Sequence, residues 1–444
     1  MKKKNRMGKI ALIAVTACML AGCGDAETPI EREPVENSLS VEVTLPDAGT
    51  VDEISQSIAS SHEEDNADND AVVYTAVNNG GHFVAYNDRV FFHAPVAAGM
   101  ETTALFGEFN ATASGETALY SVDRTGKLTQ ELPDAATGGL YVTGDRMLFT
   151  GVHSEDGSNY TNIYNLTENK AEIASDDHRY MLGADKLGNY ALAAKMQLED
   201  ADGYSYYKIA GIAVYKDGVY YKDLSVDFDT FVGTGDGRVF YIVYEGENYA
   251  AVLMQMNIET EEITRLGVLP EPEYGGCIVD EFVCENGTVF LAYDSYEGTG
   301  HFFSGGFYVK ASADQPDSLT FEDADGGEER HPFRIQNGSF ATCEGTPGAA
   351  ETRGNTIGYY NADGKWVQVA EGEYDAVFSA DYEKLQSIEL VEYLDNCIYG
   401  VRNYMEHVPD DDIGWRTAYR RNKTEIFMVD CSTGKETVIL TVVQ

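Results

Sequence analysis

Seven short stretches of this chain share one register: NDRVFFHA (87–94), GDRMLFTG (144–151), LGNYALAA (187–194), GDGRVFYIVY (235–244), ENGTVFLAY (285–293), QNGSFATC (336–343) and LDNCIYGV (394–401). In each, a polar turn of Asn, Asp or Gly opens onto an apolar or aromatic strand. They recur at intervals of about 43 to 58 residues, the period of a four-stranded blade with some longer connections. The recurrence predicts an all-β chain: a β-propeller of about seven four-stranded antiparallel blades.

A second mark falls later in most units. ALYSVDRTGKLTQEL (118–132), NIYNLTENKAEIA (162–174), GIAVYKDGVYYKDL (211–224), LMQMNIETEEITRLGVL (253–269), IGYYNADGKWVQVAEG (357–372) and IFMVDCSTGKETVILTV (426–442) each place two strands around a tight polar hairpin. Their Asp-Gly and Asp-x-x-Gly turns supply the positive φ that hairpins demand. Each unit thus reads as a meander of four strands, whose apolar faces are covered once neighbouring units pack radially. Ala71–Val77 (AVVYTAV) suits an extra outer strand on the last blade, yet Glu436–Val443 already fills that role. The competing folds are a β-sandwich series or two smaller β-domains.

From about Val72 to Gln444 the blades resemble those of uncharacterised β-propeller lipoproteins of Gram-positive bacteria, in strands such as Leu119-Tyr120 followed by Asp123 and Gly126. The resemblance implies the fold and no activity. The Gly-His and Trp-Asp marks of WD40 repeats are absent. The double glycines (Gly80-Gly81, Gly138-Gly139, Gly275-Gly276, Gly305-Gly306) hold no fixed place in the unit, unlike those of kelch repeats.

The N-terminal end is of another kind. Lys2, Lys3, Lys4, Arg6 and Lys9 precede an apolar run from Ile10 to Ala21, too short for the roughly 20 residues of a spanning helix and suited to a signal peptide. Leu20-Ala21-Gly22-Cys23 resembles the bacterial lipobox, which implies removal of residues 1–22, a diacylglycerol on Cys23 and tethering to the outer face of the cell membrane. Residues 23–70 carry about fourteen acids against the single base Arg32, a composition expected of a disordered, self-repelling linker. The propeller domain then occupies 71–444. Loss of the five basic residues takes the formal charge from −43 to about −48. That charge disfavours nucleic acid and anionic headgroups as partners and leaves membrane attachment to the lipid.

With strands labelled a to d outward from the centre of each blade, the a–b and c–d turns are short and the b–c connections long. The long ones are Pro95–Glu116, Val152–Asn159, Gln197–Ser205, Asp294–His301, Glu344–Arg353 and Met405–Asn422. Long connections on a rigid scaffold are where ligand contacts usually lie, so the b–c side is the expected binding surface for a protein, peptide or glycan. The last connection holds Tyr404, His407, Trp415, Arg416, Tyr419 and Arg420, residue types enriched at contact sites. His93 and His153 follow the b strands of adjacent blades and are expected to meet at that rim.

No HExxH, GxSxG, P-loop or dinucleotide fingerprint occurs. Asp200-Ala201-Asp202-Gly203 and Asp323-Ala324-Asp325-Gly326 are weak calcium candidates that lack an EF-hand's remaining ligands. No other cofactor is expected, and the domain reads as a monomeric binding module. A hydrolase or lyase of extracellular polysaccharide, working through paired carboxylates, is the alternative. Cys277 and Cys284 bracket one strand and lie too far apart to bond. Cys397 and Cys431 sit where a cross-strand disulfide would join them, the other state being buried thiols.

Overall fold

The computed structural model describes residues 80–443 except 96–100, 104–116, 124–125, 133–136, 153–158, 175–179, 186–188, 202–203, 247–249, 271–275, 298–301, 325–331, 376, 379–383 and 409–417. Cys23, the acidic segment and Ala71–Val77 lie outside the described residues. The fold class is all-β, and its repeating element is the four-stranded antiparallel propeller blade. The described residues within Asp227–Arg330 form one compact unit and the remainder a second.

Five successive sheets follow the expected meander. The first runs β1 (Phe83–Tyr86), β2 (Arg89–Pro95), β4 (Thr117–Asp123), β5 (Leu128–Leu132), with β3 (Glu101–Thr103) in the connection between β2 and β4. The second holds β6 (Thr137–Thr143), β7 (Arg146–Val152), β8 (Asn159–Asn165) and β9 (Lys170–Ile173). The third holds β10 (Tyr180–Ala184), β11 (Tyr190–Ala201), β12 (Tyr204–Lys216) and β13 (Val219–Leu224). The Asp227–Arg330 unit comprises a sheet of β14 (Thr230–Gly235), β15 (Arg238–Glu245), β16 (Ala250–Asn257) and β17 (Ile263–Val268), and a sheet of β18 (Gly276–Glu285), β19 (Thr288–Glu297), β20 (Phe302–Ser312) and β21 (Thr320–Ala324). Within it Phe240, Leu253, Leu266, Val289, Leu291 and Val309 are buried together.

The turn marks do what their residue types require. Asp236-Gly237, Asn286-Gly287, Asn337-Gly338 and Asp395-Asn396 all have positive φ at both positions, from 49 to 70°, the geometry that matches the twist of a two-residue hairpin. At the c–d turns an Asx side chain caps the backbone: Asn165, Asn257, Asn361 and Asp430 each accept two amide hydrogens through Oδ1 at 2.7–3.1 Å.

The sixth and seventh copies depart from expectation. The sixth is not one sheet. β22 (Phe333–Gln336) pairs only with β23 (Ser339–Thr342), whereas the supposed long connection supplies β24 (Ala350–Arg353), which pairs with β25 (Thr356–Tyr360) and through it with β26 (Trp366–Glu371). The seventh is enlarged to six strands: β27 (Val377–Phe378), β28 (Lys384–Leu394), β29 (Cys397–Val408), β30 (Ala418–Asp430) and β31 (Glu436–Val443), with β3 also joined to β30. Glu436–Val443 is thus the outer strand expected of it.

In the second unit the first and last sheets pack face to face. Phe83, Phe92 and Tyr120 meet Tyr399, Ile426 and Met428 in one buried cluster, and the rings of Phe83 and Tyr399 stack at 5.3 Å. The Glu392 carboxylate accepts the amide hydrogens of His82 and Phe83, each at 3.0 Å. Between the first and second sheets, Ser121 and Arg89 donate to Glu131 at 2.5 and 2.8 Å, and the Tyr164 hydroxyl donates to the same carboxylate.

Two of the double glycines face one another. The Gly80 amide donates to the Leu140 carbonyl and the Leu140 amide to that of Gly81, at 2.7 and 2.9 Å. A Cβ on Gly139 would stand 2.0 Å from the Gly80 carbonyl oxygen. Gly139→Ala is therefore expected to lower stability by about 1–3 kcal/mol through forced backbone displacement; urea unfolding of the pure protein measures it, and an unchanged midpoint would contradict this packing.

Candidate functional site

In each b–c connection part of the described backbone is strand. In the third sheet β11 and β12 stay paired from Lys195↔Gly211 to Ala201↔Tyr204, whereas β13 stops at the partner of Ile212. The c strand therefore outruns its outer neighbour by eight residues, 204–211. In the fifth sheet β20 begins at Phe302 but β21 covers it only from Gly306. In the last sheet β30 begins at Ala418 and β31 covers it only from Lys423. Gln197–Ala201 with Tyr204–Ser205, and Met405–Val408 with Ala418–Asn422, are thus hairpin arms rather than loops.

The predicted contact residues divide accordingly. His407 and Val408 of β29 stand in register with Tyr419 and Ala418 of β30, and Glu406 with Arg420. The arm of the last sheet therefore carries Tyr404, His407, Tyr419 and Arg420, while Trp415 and Arg416 lie outside the described residues. Tyr404 is half-buried: its hydroxyl donates to Glu425 at 3.1 Å, and the Lys423 ammonium stands 3.6 Å from its ring centre. Burial and the Glu425 charge push its pKa above the ordinary range.

His93 is a correction. It lies within β2, buried, with the Phe149 ring edge-on at 5.3 Å, so it faces the second sheet rather than a solvent rim. Neither ring nitrogen has a hydrogen-bond partner among the described residues. Burial first, and then the neighbouring His82, depress its pKa from 6.5 to about 3. His153 lies outside the described residues. Cys397 and Cys431 are thiols and not a cystine; Cys397 is fully buried and burial pushes the Cys431 thiol up to about 12. Among the described residues no three His, Cys, Asp or Glu side chains are grouped to hold a metal ion.

Two polar clusters on opposite faces of the last sheet escaped the sequence reading. On one, Arg402 is buried over the Phe427 ring at 4.8 Å and makes a forked pair with Glu436, both contacts 2.9 Å. Burial works against its charge, and the Glu436 and Glu425 carboxylates more than offset it. On the other, Thr424 donates to Asn403 at 2.8 Å beside Glu389 and the buried Arg421. Burial raises the Glu389 pKa, against the pull of the Arg421 charge. Next to it Leu390 has φ of 52° at a bulge, a conformation uncommon for a side chain of that size. The visible signal was a charged residue inside an otherwise apolar strand, CIYGVRNYM.

No protein-family model matches the chain, and no curated protein is detectably similar in sequence. Solved structures give distant likenesses. A prolyl endopeptidase aligns at 10% identity and TM-score 0.41 over 90% of this chain. The chain spans about half of that protein, 52% of its length. An oligogalacturonate lyase in complex with manganese aligns at 11% identity and TM-score 0.35, covering 78% of this chain and 95% of the lyase. TolB from Acinetobacter baumannii aligns at 14% identity and TM-score 0.28, covering 58% and 64% of the two chains. None of these likenesses assigns an activity.

A neutral His93 makes stability depend on pH. Its folded pKa lies below the unfolded value of 6.5, so on acidification the unfolded chain takes up the proton first and stability falls as pH drops below 6.5. His93→Leu is expected to remove up to about 1.4 kcal/mol per pH unit of that slope. Urea unfolding between pH 7 and 4 tests it; an unaltered slope would rule out a buried neutral imidazole.

Proposed function

We propose that this chain is a membrane-anchored, extracytoplasmic binding module, held by a lipid on Cys23 and engaging a protein, peptide or glycan as a monomer through the b–c arms of its sheets. The observation that carries the reading is the pair of c strands that run past their outer neighbours at 204–211 and 302–305, joined by the 418–422 end of β30, where β3 in place of β31 pairs Ala418–Arg420. A strand end without an outer neighbour offers amides and carbonyls that water or a partner must satisfy. Such arms extend the fixed geometry of a rigid sheet, which favours recognition with little ordering cost. The acidic segment of residues 23–70 acts as the spacer between membrane and domain.

The anchor is tested by Cys23→Ala: metabolic labelling with an alkyne fatty acid is expected to lose the band and the protein to leave the membrane fraction. For binding, capture of envelope components on immobilised protein is expected to fall when Gln197–Lys208 is replaced by Asn-Gly, so that Met196 and Ile209 flank a two-residue turn. Capture that survives loss of every arm would refute the chosen surface. Sustained release of sugar ends from polysaccharide, abolished by one Asp or Glu substitution, would instead assign the hydrolase or lyase activity.

A further inference from the structure

The outer edge of β30 is shared unequally. β31 covers Lys423 to Val429, and a bulge at Asn422 separates that ladder from the first residues of the strand. Those first residues, Ala418, Tyr419 and Arg420, are paired by β3: Thr103↔Ala418, Thr102↔Tyr419 and Glu101↔Arg420. β3 does not belong to the last sheet by sequence. It is three residues taken from the connection between β2 and β4 of the first sheet.

We propose that Ala418–Arg420 is a strand-addition site for an extended acidic peptide segment, and that β3 is the chain's own segment seated in it. This rests on the binding-module reading above and specifies its ligand. Strand addition draws affinity from main-chain hydrogen bonds and specificity from alternate side chains. Here the register sets the chemistry: a carboxylate opposite Arg420 and a β-branched residue opposite Tyr419, as Glu101 and Thr102 now stand. Arg420 also stands in register with Glu406, Arg421 is buried beside Glu389 and Lys423 pairs with Glu425 at 2.9 Å, so the preference is set by the register position of Glu101 and not by net charge.

The seated segment is short enough to yield. Three residues supply few hydrogen bonds, each of small net worth after exchange with water, against the entropy lost in ordering the segment. Its advantage is tethering, which gives an effective concentration on the order of millimolar. A free peptide therefore competes poorly with β3 in place and well once β3 is disabled, by the ratio that the occupied fraction imposes.

The test uses the full chain and a fluorescent peptide of residues 98–106 (AGMETTALF), read by anisotropy. Replacing Thr102→Pro and Thr103→Pro together removes whichever of these two adjacent amides faces β30 and is expected to tighten peptide binding at least tenfold. Adding Tyr419→Pro is expected to abolish that gain; Arg420→Glu is expected to weaken it at least fivefold, with recovery on a peptide carrying Lys in place of Glu101. A variant that depends less on tolerance of proline is Thr102→Cys with Tyr419→Cys: reduced, it should keep the weak peptide binding of the parent chain, and oxidation, which fixes β3 in place, should remove it. No gain from the double-proline variant, a gain indifferent to Tyr419→Pro, or peptide binding unchanged by the disulfide would each overturn the proposal. If the peptide fails while replacement of Gln197–Lys208 by Asn-Gly still abolishes capture, the strand-addition site is wrong and the binding module stands.

Discussion

Glu392 holds the two ends of the second unit together. Its carboxylate receives the amides of His82 and Phe83, residues more than three hundred positions earlier, and fixes β1 against the last sheet. The apolar contact follows from that alignment: Phe83 on Tyr399, Phe92 and Tyr120 beside them, aliphatic side chains filling between. A fully buried aromatic or aliphatic side chain contributes about 1.5–3 kcal/mol, so this interface outweighs the polar clasp in energy. The clasp supplies register. Without it, flat apolar faces specify position weakly, because a slip of one residue exchanges inward and outward side chains.

Polar groups elsewhere in the second unit act in the same way. Glu131 gathers Arg89, Ser121 and Tyr164 from two sheets around one carboxylate. Arg402 joins β29 to the last strand through Glu436. Buried charges of this kind add little net stability against an apolar replacement but cost much when one partner is lost. They make adjacent sheets fit in one arrangement, which matters in a fold whose sheets share the same pattern and so compete for the same neighbours.

Much of this architecture was legible in the chain. Asn286-Gly287, Asn337-Gly338 and Asp236-Gly237 announce two-residue hairpins because few other residue pairs tolerate left-handed backbone at both positions. What sequence could not settle was which strand pairs with which. QNGSFATC carries the right turn, yet β23 does not meet β25, since β24 supplies a nearer partner to the same edge. Likewise ETT at 101–103 has no periodicity to mark it, and its pairing with β30 is purely long-range. His93 misled for a related reason: its place just after an aromatic pair marks a strand end, but β2 continues two residues further and buries it. Of the contact residues, Tyr404, His407, Tyr419 and Arg420 fall on one arm, as their nearness in sequence suggested, although on strands.

The cysteines of the described residues bear on how the folded domain meets a change of redox conditions. Burial lifts the thiols of Cys284 and Cys431 to about 12, with the Asp236 carboxylate adding to the effect at Cys284. Attack on disulfides and oxidants proceeds through thiolate, which is scarce at that acidity. Once folded, these two sulfurs react slowly with disulfides and oxidants, so they persist as thiols whether the surroundings are reducing or aerated.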